Sequence, residues 1–269
     1  MRAERIMVDG VSLECRRIGA QRELAPTLVF LHDGLGCADI WGNFPERLSE
    51  RTGLPGFVYS RAGYGRSDPV PLPRPLNYTH IEAAHVLPAV MAASGITQPI
   101  LIGHSDGATI SLIYGALIGG GAIDAPRTAA IVAMAPHVFN EALSIKSIRE
   151  TTRQFERGTL RARLERYHGS NVDCAFRGWS DTWLDPLFRT WNIEALLAEI
   201  DVPVLVIQGD ADAYGSLAQV ESILRNVSGP TRSRVIPGCG HVPYRTVPEI
   251  TLEAITGFLQ DFEGHGRRR

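Results

Sequence analysis

Six short apolar runs, separated by stretches with helical spacing, constrain the fold of this chain more than any other feature. They occupy residues 27–32 (TLVFLH), 56–60 (GFVYS), 99–103 (PILIG), 129–135 (AAIVAMA), 203–209 (PVLVIQG) and 233–238 (SRVIPG). Each is near-continuously apolar, the pattern of a strand buried on both faces. Strands of this kind alternating with helices predict an α/β chain built on a doubly wound, mostly parallel sheet. The final TVPEITLEAITGFLQDF reads as a helix that packs on the sheet. Thr246 and Glu249 stand at capping-box spacing, Pro248 falls in the first turn, and Leu252, Ile255, Leu259 and Phe262 share one face.

The alternation breaks once. From residue 139 to residue 195 there is no strand pattern, only helical segments such as SIKSIRETTRQFERGTLRARLERY and an aromatic stretch with Phe176, Trp179, Trp183, Phe188 and Trp191. This predicts a helical lid over 139–195, inserted into a core formed by 1–138 and 196–269. At 269 residues and 44% hydrophobic content, the chain can bury one sizeable core with such an accessory.

Charge and cysteine usage narrow the function classes. A net charge of −2 and a pI near 6.5 lack the basic footprint of a nucleic-acid binder. Cys15, Cys37, Cys174 and Cys239 are scattered, with no metal-ligand spacing and no disulfide framework, and His80 and His85 have no metal spacing either. The opening MRAERIMVDG has no apolar run after its charges, so no signal peptide is expected. The longest uncharged run, residues 107–123, is glycine-rich and short of a membrane span, and reads as a buried helix with its exit turn. A cytoplasmic location, a small-molecule substrate, and no cofactor, metal, nucleic acid or membrane partner are the expectations. The GHGRRR end reads as a frayed tail.

The third apolar run ends in ILIGHSDGATI, where Gly103-His104-Ser105-Asp106-Gly107 fits G-x-S-x-G between a strand and a helix. Such a corner exposes the serine hydroxyl on a strained turn, and its glycines let strand and helix approach closely. A hydroxyl becomes a nucleophile only with a base and an acid beside it. PGCGHVPY puts His241 on a glycine-flanked loop after the last run, and VIQGDADAYG supplies Asp210 and Asp212 after the one before. Glu141, just past AMAPH, is a more distant carboxylate. An oxyanion would need two backbone N–H groups, of which one should be Asp106, next to the nucleophile and at a helix N-terminus.

The order serine, aspartate, histidine, together with LHDGLG, RAGYGRSD, GHSDG, GDAD and GCGHVP, resembles the α/β-hydrolase fold superfamily across nearly the whole core. The chain is most similar to its small lidded branch of esterases, perhydrolase-like enzymes and carbon–carbon bond hydrolases. The resemblance implies a triad of Ser105, His241 and Asp212, the last by the family's G-x-x-D pattern, with Asp210 bracing the loop. It implies Gly34 as the second oxyanion donor and His32 as a residue that orients that loop. The glycines of RAGYGRSD are then structural and Arg61 a carboxylate partner. The chain departs from the commoner His-Gly start by placing Asp33 second. Carboxylates at Asp33 and Asp106 would oppose an oxyanion, so both should turn away, onto loop amides or an arginine such as Arg61 or Arg66.

His104 and His137 lie near strand ends facing the cleft, where His137 should line the pocket. Trp179, Trp183 and Trp191 either wall the substrate or pack the lid. Residues 144–166 carry seven basic and three acidic side chains, which read as a solvated helix face or as an attractor of anions. The implied activity is hydrolysis of a small to medium ester through an acyl-enzyme. Perhydrolase or carbon–carbon hydrolase chemistry, or a small-molecule receptor retaining the triad, are the alternatives.

Overall fold

The computed structural model describes residues 4–20 and 25–266, with side chains to residue 261. Eight strands form one sheet: β1 (Glu4–Val8), β2 (Val11–Ile18), β3 (Thr27–Leu31), β4 (Gly56–Tyr59), β5 (Pro99–His104), β6 (Ala130–Met134), β7 (Val204–Gly209) and β8 (Thr231–Ile236). Their order is β1-β2-β4-β3-β5-β6-β7-β8. The β1–β2 and β2–β4 pairs are antiparallel and all others parallel.

Alternate side chains of the central strands enter different cores, which is the mark of a doubly wound sheet. On one face Val29, Leu31, Leu101, Ile131, Ala133, Val204 and Val206 join the cluster under α3 (Leu87–Ser94), α4 (Asp106–Gly119) and α8 (Leu217–Asn226). On the other, Leu28, Phe30, Ile100, Ile102, Val132, Leu205 and Ile207 meet Phe44 and Leu48 of α1 (Phe44–Thr52) and Leu252, Ile255 and Leu259 of α10 (Pro248–Gly266). Phe262, assigned to the same helix face, lies outside the described side chains. Helix α4 is buried from Asp106 to Ala116, sandwiched between the sheet and neighbouring helices.

Three local expectations change. A hairpin, β1 and β2, precedes the first apolar run. Its Asp9-Gly10 turn has φ of 49° and 81°, the positive pair that closes a two-residue hairpin. Its partly exposed, charge-rich strands do not form an apolar run, which is why the strand pattern passes over them. Strand β8 is an edge, exposed from Arg232 to Val235 rather than buried on both faces. The capping box at Thr246 does not form, because the Glu249 carboxylate instead pairs with Arg47 and Arg51 of α1.

Between β6 and β7 the chain leaves the sheet for α5 (Ala142–Glu156), α6 (Thr159–His168) and α7 (Val172–Leu184), then three-ten turns. Gly158, at φ 90°, breaks the long basic helical segment in two. The insertion has its own apolar cluster around Ile148, Phe155, Phe176, Trp179, Trp183 and Phe188. Among the described residues, no helix is long and apolar enough to cross a membrane.

Candidate active site

The loops leaving the carboxyl ends of β3, β5, β7 and β8 converge, the usual location of a ligand site in an open α/β sheet. Ser105 sits between β5 and α4 at φ 52°, ψ −116°, a conformation that costs a non-glycine residue of order 1–3 kcal/mol. Its backbone is held there by Ser105 N–H to Met134 C=O at 2.8 Å and Thr109 N–H to Ser105 C=O at 3.0 Å. The flanking glycines are sterically required. A Cβ at Gly107 would overlap the Leu31 carbonyl, and one at Gly103 would overlap the first turn of α4.

The Ser105 Oγ lies 3.0 Å from His241 Nε2, and His241 Nδ1 lies 2.8 Å from Asp212 Oδ2. An ionised carboxylate only accepts, so the ring proton belongs on Nδ1 and Nε2 is left to accept from the hydroxyl. Asp212 also accepts from Tyr214 N–H at 2.8 Å and from the Gln208 amide at 2.7 Å. Burial alone would raise its proton affinity, but the His241 and Tyr214 hydrogen bonds outweigh that and hold it below the usual carboxylate range. Asp210 points elsewhere, accepting from Gly238 N–H at 2.7 Å. Glu141 accepts from Ser216 N–H and Gln219, each at 2.8 Å. Gly209 has no room for a Cβ because the Cys239 carbonyl of the His241 loop lies against it.

The 32–36 loop is held from behind. His32 donates from Nδ1 to Asp33 C=O at 2.7 Å and accepts at Nε2 from Arg61 N–H at 3.0 Å. The fully buried Arg61 guanidinium donates to Asp33 C=O at 2.9 Å and His32 C=O at 3.3 Å. In a trans peptide the N–H is opposed to the C=O, so the Gly34 N–H points away from Arg61. Gly34 lines the cavity that contains Ser105. The Asp106 amide, one of the first N–H groups of α4, adjoins the same serine and has no helical acceptor.

The two carboxylates near Ser105, those of Asp33 and Asp106, are absorbed by partners. Asp33 accepts from Leu35 N–H at 2.8 Å and lies 3.2 Å from His104 Nδ1; burial alone would raise its proton affinity, but the hydrogen bond and charge of His104, with His32 and the Leu35 N–H, outweigh that and leave it lowered. Asp106 accepts from Tyr78 OH at 2.6 Å and stands 3.7 Å from the Arg61 guanidinium. Tyr78 in turn accepts from Trp183 Nε1 at 3.0 Å, so a polar chain runs from the insertion to the first residue of α4, beside Ser105. Arg66 is not a partner of either carboxylate; its amide binds Glu14.

The cavity over Ser105 measures about 330 Å³, the low end of small-molecule sites. His137, Trp179 and Trp183 line it, whereas Trp191 does not. Trp191 stacks on Phe188 at 5.2 Å and abuts Trp183, inside the aromatic packing of the insertion. His104 Nε2 lies 2.7 Å from His241 C=O. Burial and the neighbouring His241 lower the proton affinity of His137, whose Nε2 meets Tyr214 C=O at 3.1 Å. Sequence reasoning missed Tyr214, whose ring lies 4.8 Å from the His241 ring, and Gln208. Gln208 left a signal, as the one polar side chain before the final glycine of an otherwise apolar strand. Arg163, also in the lining, belongs to the basic 144–166 segment but nothing set it apart within it, and Arg245 left no signal.

The model of the alpha/beta hydrolase family matches residues 28–254. Among curated proteins, epoxide hydrolase A of Mycobacterium tuberculosis is 31% identical over 102 residues, which are 37% of this chain and 31% of that protein. The match thus spans about a third of that relative's length. Among solved structures, the esterase EaEST from Exiguobacterium antarcticum superposes with a TM-score of 0.75 at 20% identity, covering 96% of this chain and 100% of that one. The proline iminopeptidase of Mycobacterium smegmatis gives 0.72 at 17%, over 98% and 100%. The enol-lactonase from Burkholderia xenovorans LB400 gives 0.72 at 17%, over 96% and 100%. Identities this low speak for a shared fold.

Proposed function

Since the chain belongs to the alpha/beta hydrolase family, we propose that it is a serine hydrolase cleaving a small to medium carboxylic ester through an acyl-enzyme. The observation that carries this reading is the unbroken line from Asp212 through His241 to Ser105, at 2.8 and 3.0 Å, on the floor of a cavity. In this reading His241 Nε2 takes the Ser105 proton as Oγ attacks the carbonyl carbon. The Asp106 and Gly34 amides hold the oxyanion, and His241 returns the proton to the leaving alcohol. A water activated by His241 then releases the acid. Asp212 keeps its negative charge throughout and steadies the imidazolium. The helical insertion, residues 139–195, serves as the lid, with Trp179 and Trp183 as its apolar wall.

Labelling with a fluorophosphonate tests the assignment. Wild-type protein should label stoichiometrically and hydrolyse short 4-nitrophenyl esters, and Ser105→Ala should do neither. Labelling that persists in Ser105→Ala would remove the nucleophile from this reading. Product analysis with and without hydrogen peroxide separates ester hydrolysis from perhydrolysis in the same site.

A further inference from the structure

Two guanidinium groups lining this cavity, and a third in the cavity beside it, have no role in the chemistry just described. Arg163 of α6 and Arg245 of α9 (Pro243–Thr246) line the cavity with Ser105 and His241, and both also line an adjoining cavity of about 280 Å³. Ile40 and Leu160 are shared as well, so the two spaces are neighbours, and Arg166 lines the second. Nearby arginines are neutralised: Arg153 by Glu150 at 3.0 Å, and Arg161 by Glu165 at 3.4 Å and Asp173 at 2.6 Å. Among the described residues, no carboxylate lies within ion-pair distance of Arg163, Arg166 or Arg245. The single carboxylate lining either cavity is Asp33, already engaged by Leu35 N–H and His104.

Cations brought to one cavity from two separate layers repel each other, and a low-dielectric cleft lined by one sign of charge concentrates the opposite sign. Arginine forks suit planar carboxylate and phosphate oxygens better than a lone point charge does. Leu35, Ile148 and Trp179 line the same cavity and offer apolar surface to the rest of a substrate. From these observations, and resting on the hydrolase reading, we infer that the substrate carries an anionic group, carboxylate or phosphate, at the end remote from the scissile carbonyl. Arg163 and Arg245 bind that group. Because one belongs to the insertion and the other to the core, the bound anion bridges the two.

The test compares kcat/KM for three 4-nitrophenyl esters of equal acyl length, ending in a methyl, a carboxylate or a phosphate. At low ionic strength at least one anionic ester should be preferred about tenfold, the worth of roughly one charge-assisted contact, with the gain in KM and declining as salt is added. Arg163→Gln and Arg245→Gln should each lower that ratio, and the double variant should bring it close to one. Arg149→Gln, in a separate groove with Lys146 and Arg189, should leave the ratio as it is. Equal kcat/KM for neutral and anionic esters, or a preference that survives the double substitution, overturns the inference. If wild-type protein turns over none of the three, the hydrolase reading fails by itself. Calorimetric titration with the same esters then still decides the anion site: tighter binding of an anionic ester supports it, and equal binding overturns it.

Discussion

The sheet core and the helical insertion contribute to one cavity but are specified by different means. In the core, backbone sits against backbone: Gly103, Gly107 and Gly209 are glycines because a carbonyl or a helix turn occupies the space of their Cβ. In the insertion, side chain sits against side chain, as in the stacking of Phe155 on Phe176 with ring centroids 3.7 Å apart. A backbone contact has no slack, whereas aromatic packing can be met by many sequences. The core therefore fixes where the reacting groups stand, and the insertion sets what lies over them.

Five substitutions test that division, beginning with the largest effect. Asp212→Asn removes the acceptor that fixes the His241 tautomer, and kcat should fall about 10⁴-fold, the scale known for the equivalent change in a serine protease triad. Asp210→Asn should change kcat less than about twofold, since its carboxylate meets only the Gly238 amide. The reverse pattern in steady-state kinetics would reassign the acid. Next, Gly107→Ala forces a methyl into the Leu31 carbonyl. Overpacking of this kind costs about 1–3 kcal/mol, and urea midpoints should move accordingly while ester turnover falls with the displaced elbow. A wild-type midpoint in Gly107→Ala would show that the core has the slack denied to it here.

The insertion should answer more gently. Trp183→Phe keeps the aromatic packing against His137 and Phe188 but leaves Tyr78 OH without its donor. A loss of about 1 kcal/mol is expected, read as a modest drop in thermal midpoint, with a rise in KM larger than any fall in kcat. An equal or greater fall in kcat would mean that the Trp183–Tyr78–Asp106 chain controls the elbow at Ser105 directly and would blur the boundary between the regions.

The same division explains what could be read from sequence. The central strands and the elbow at Ser105 follow from physical demands: continuous apolar strands and glycines at close approaches. The choice of Asp212 over Asp210 rests on the family's G-x-x-D pattern, not on charge or spacing. Side-chain partnerships were legible in part. That Asp33 and Asp106 turn onto amides or an arginine follows from charge, and Arg61, one of the two arginines singled out, stands beside Asp106; the other partners, Leu35 N–H, His104 and Tyr78, depend on which loops the fold brings alongside. Trp179 and Trp191 look alike in sequence, yet one lies over Gly34 in the cavity and the other stacks on Phe188 outside it. Composition and spacing carry no information about which side of a helix meets the core when both sides are rich in rings.

Two histidines, one from each region, hold the same loop in the same way. His32 accepts an amide N–H from Arg61 and donates to Asp33 C=O; His168, at the end of α6, accepts from Gly65 N–H at 2.9 Å and donates to Leu35 C=O at 3.0 Å. An amide N–H can only donate, so each ring must keep one nitrogen unprotonated. Burial lowers the proton affinity of both. The unfolded chain takes up these protons near pH 6.5, and the folded protein takes them up only at lower pH. Below about pH 6.5 the unfolded state therefore binds more protons and stability falls as the medium is acidified, by up to about 1.4 kcal/mol per pH unit for each such histidine. In His168→Gln the urea-unfolding free energy between about pH 8 and pH 5 should lose close to one proton's worth of that slope and keep the part due to His32. An unchanged slope would mean that His168 titrates alike in both states and that the insertion is not tied to the 32–36 loop through a neutral imidazole. A slope abolished altogether would mean that releasing the insertion also frees His32, so that the two regions clamp the loop as one unit.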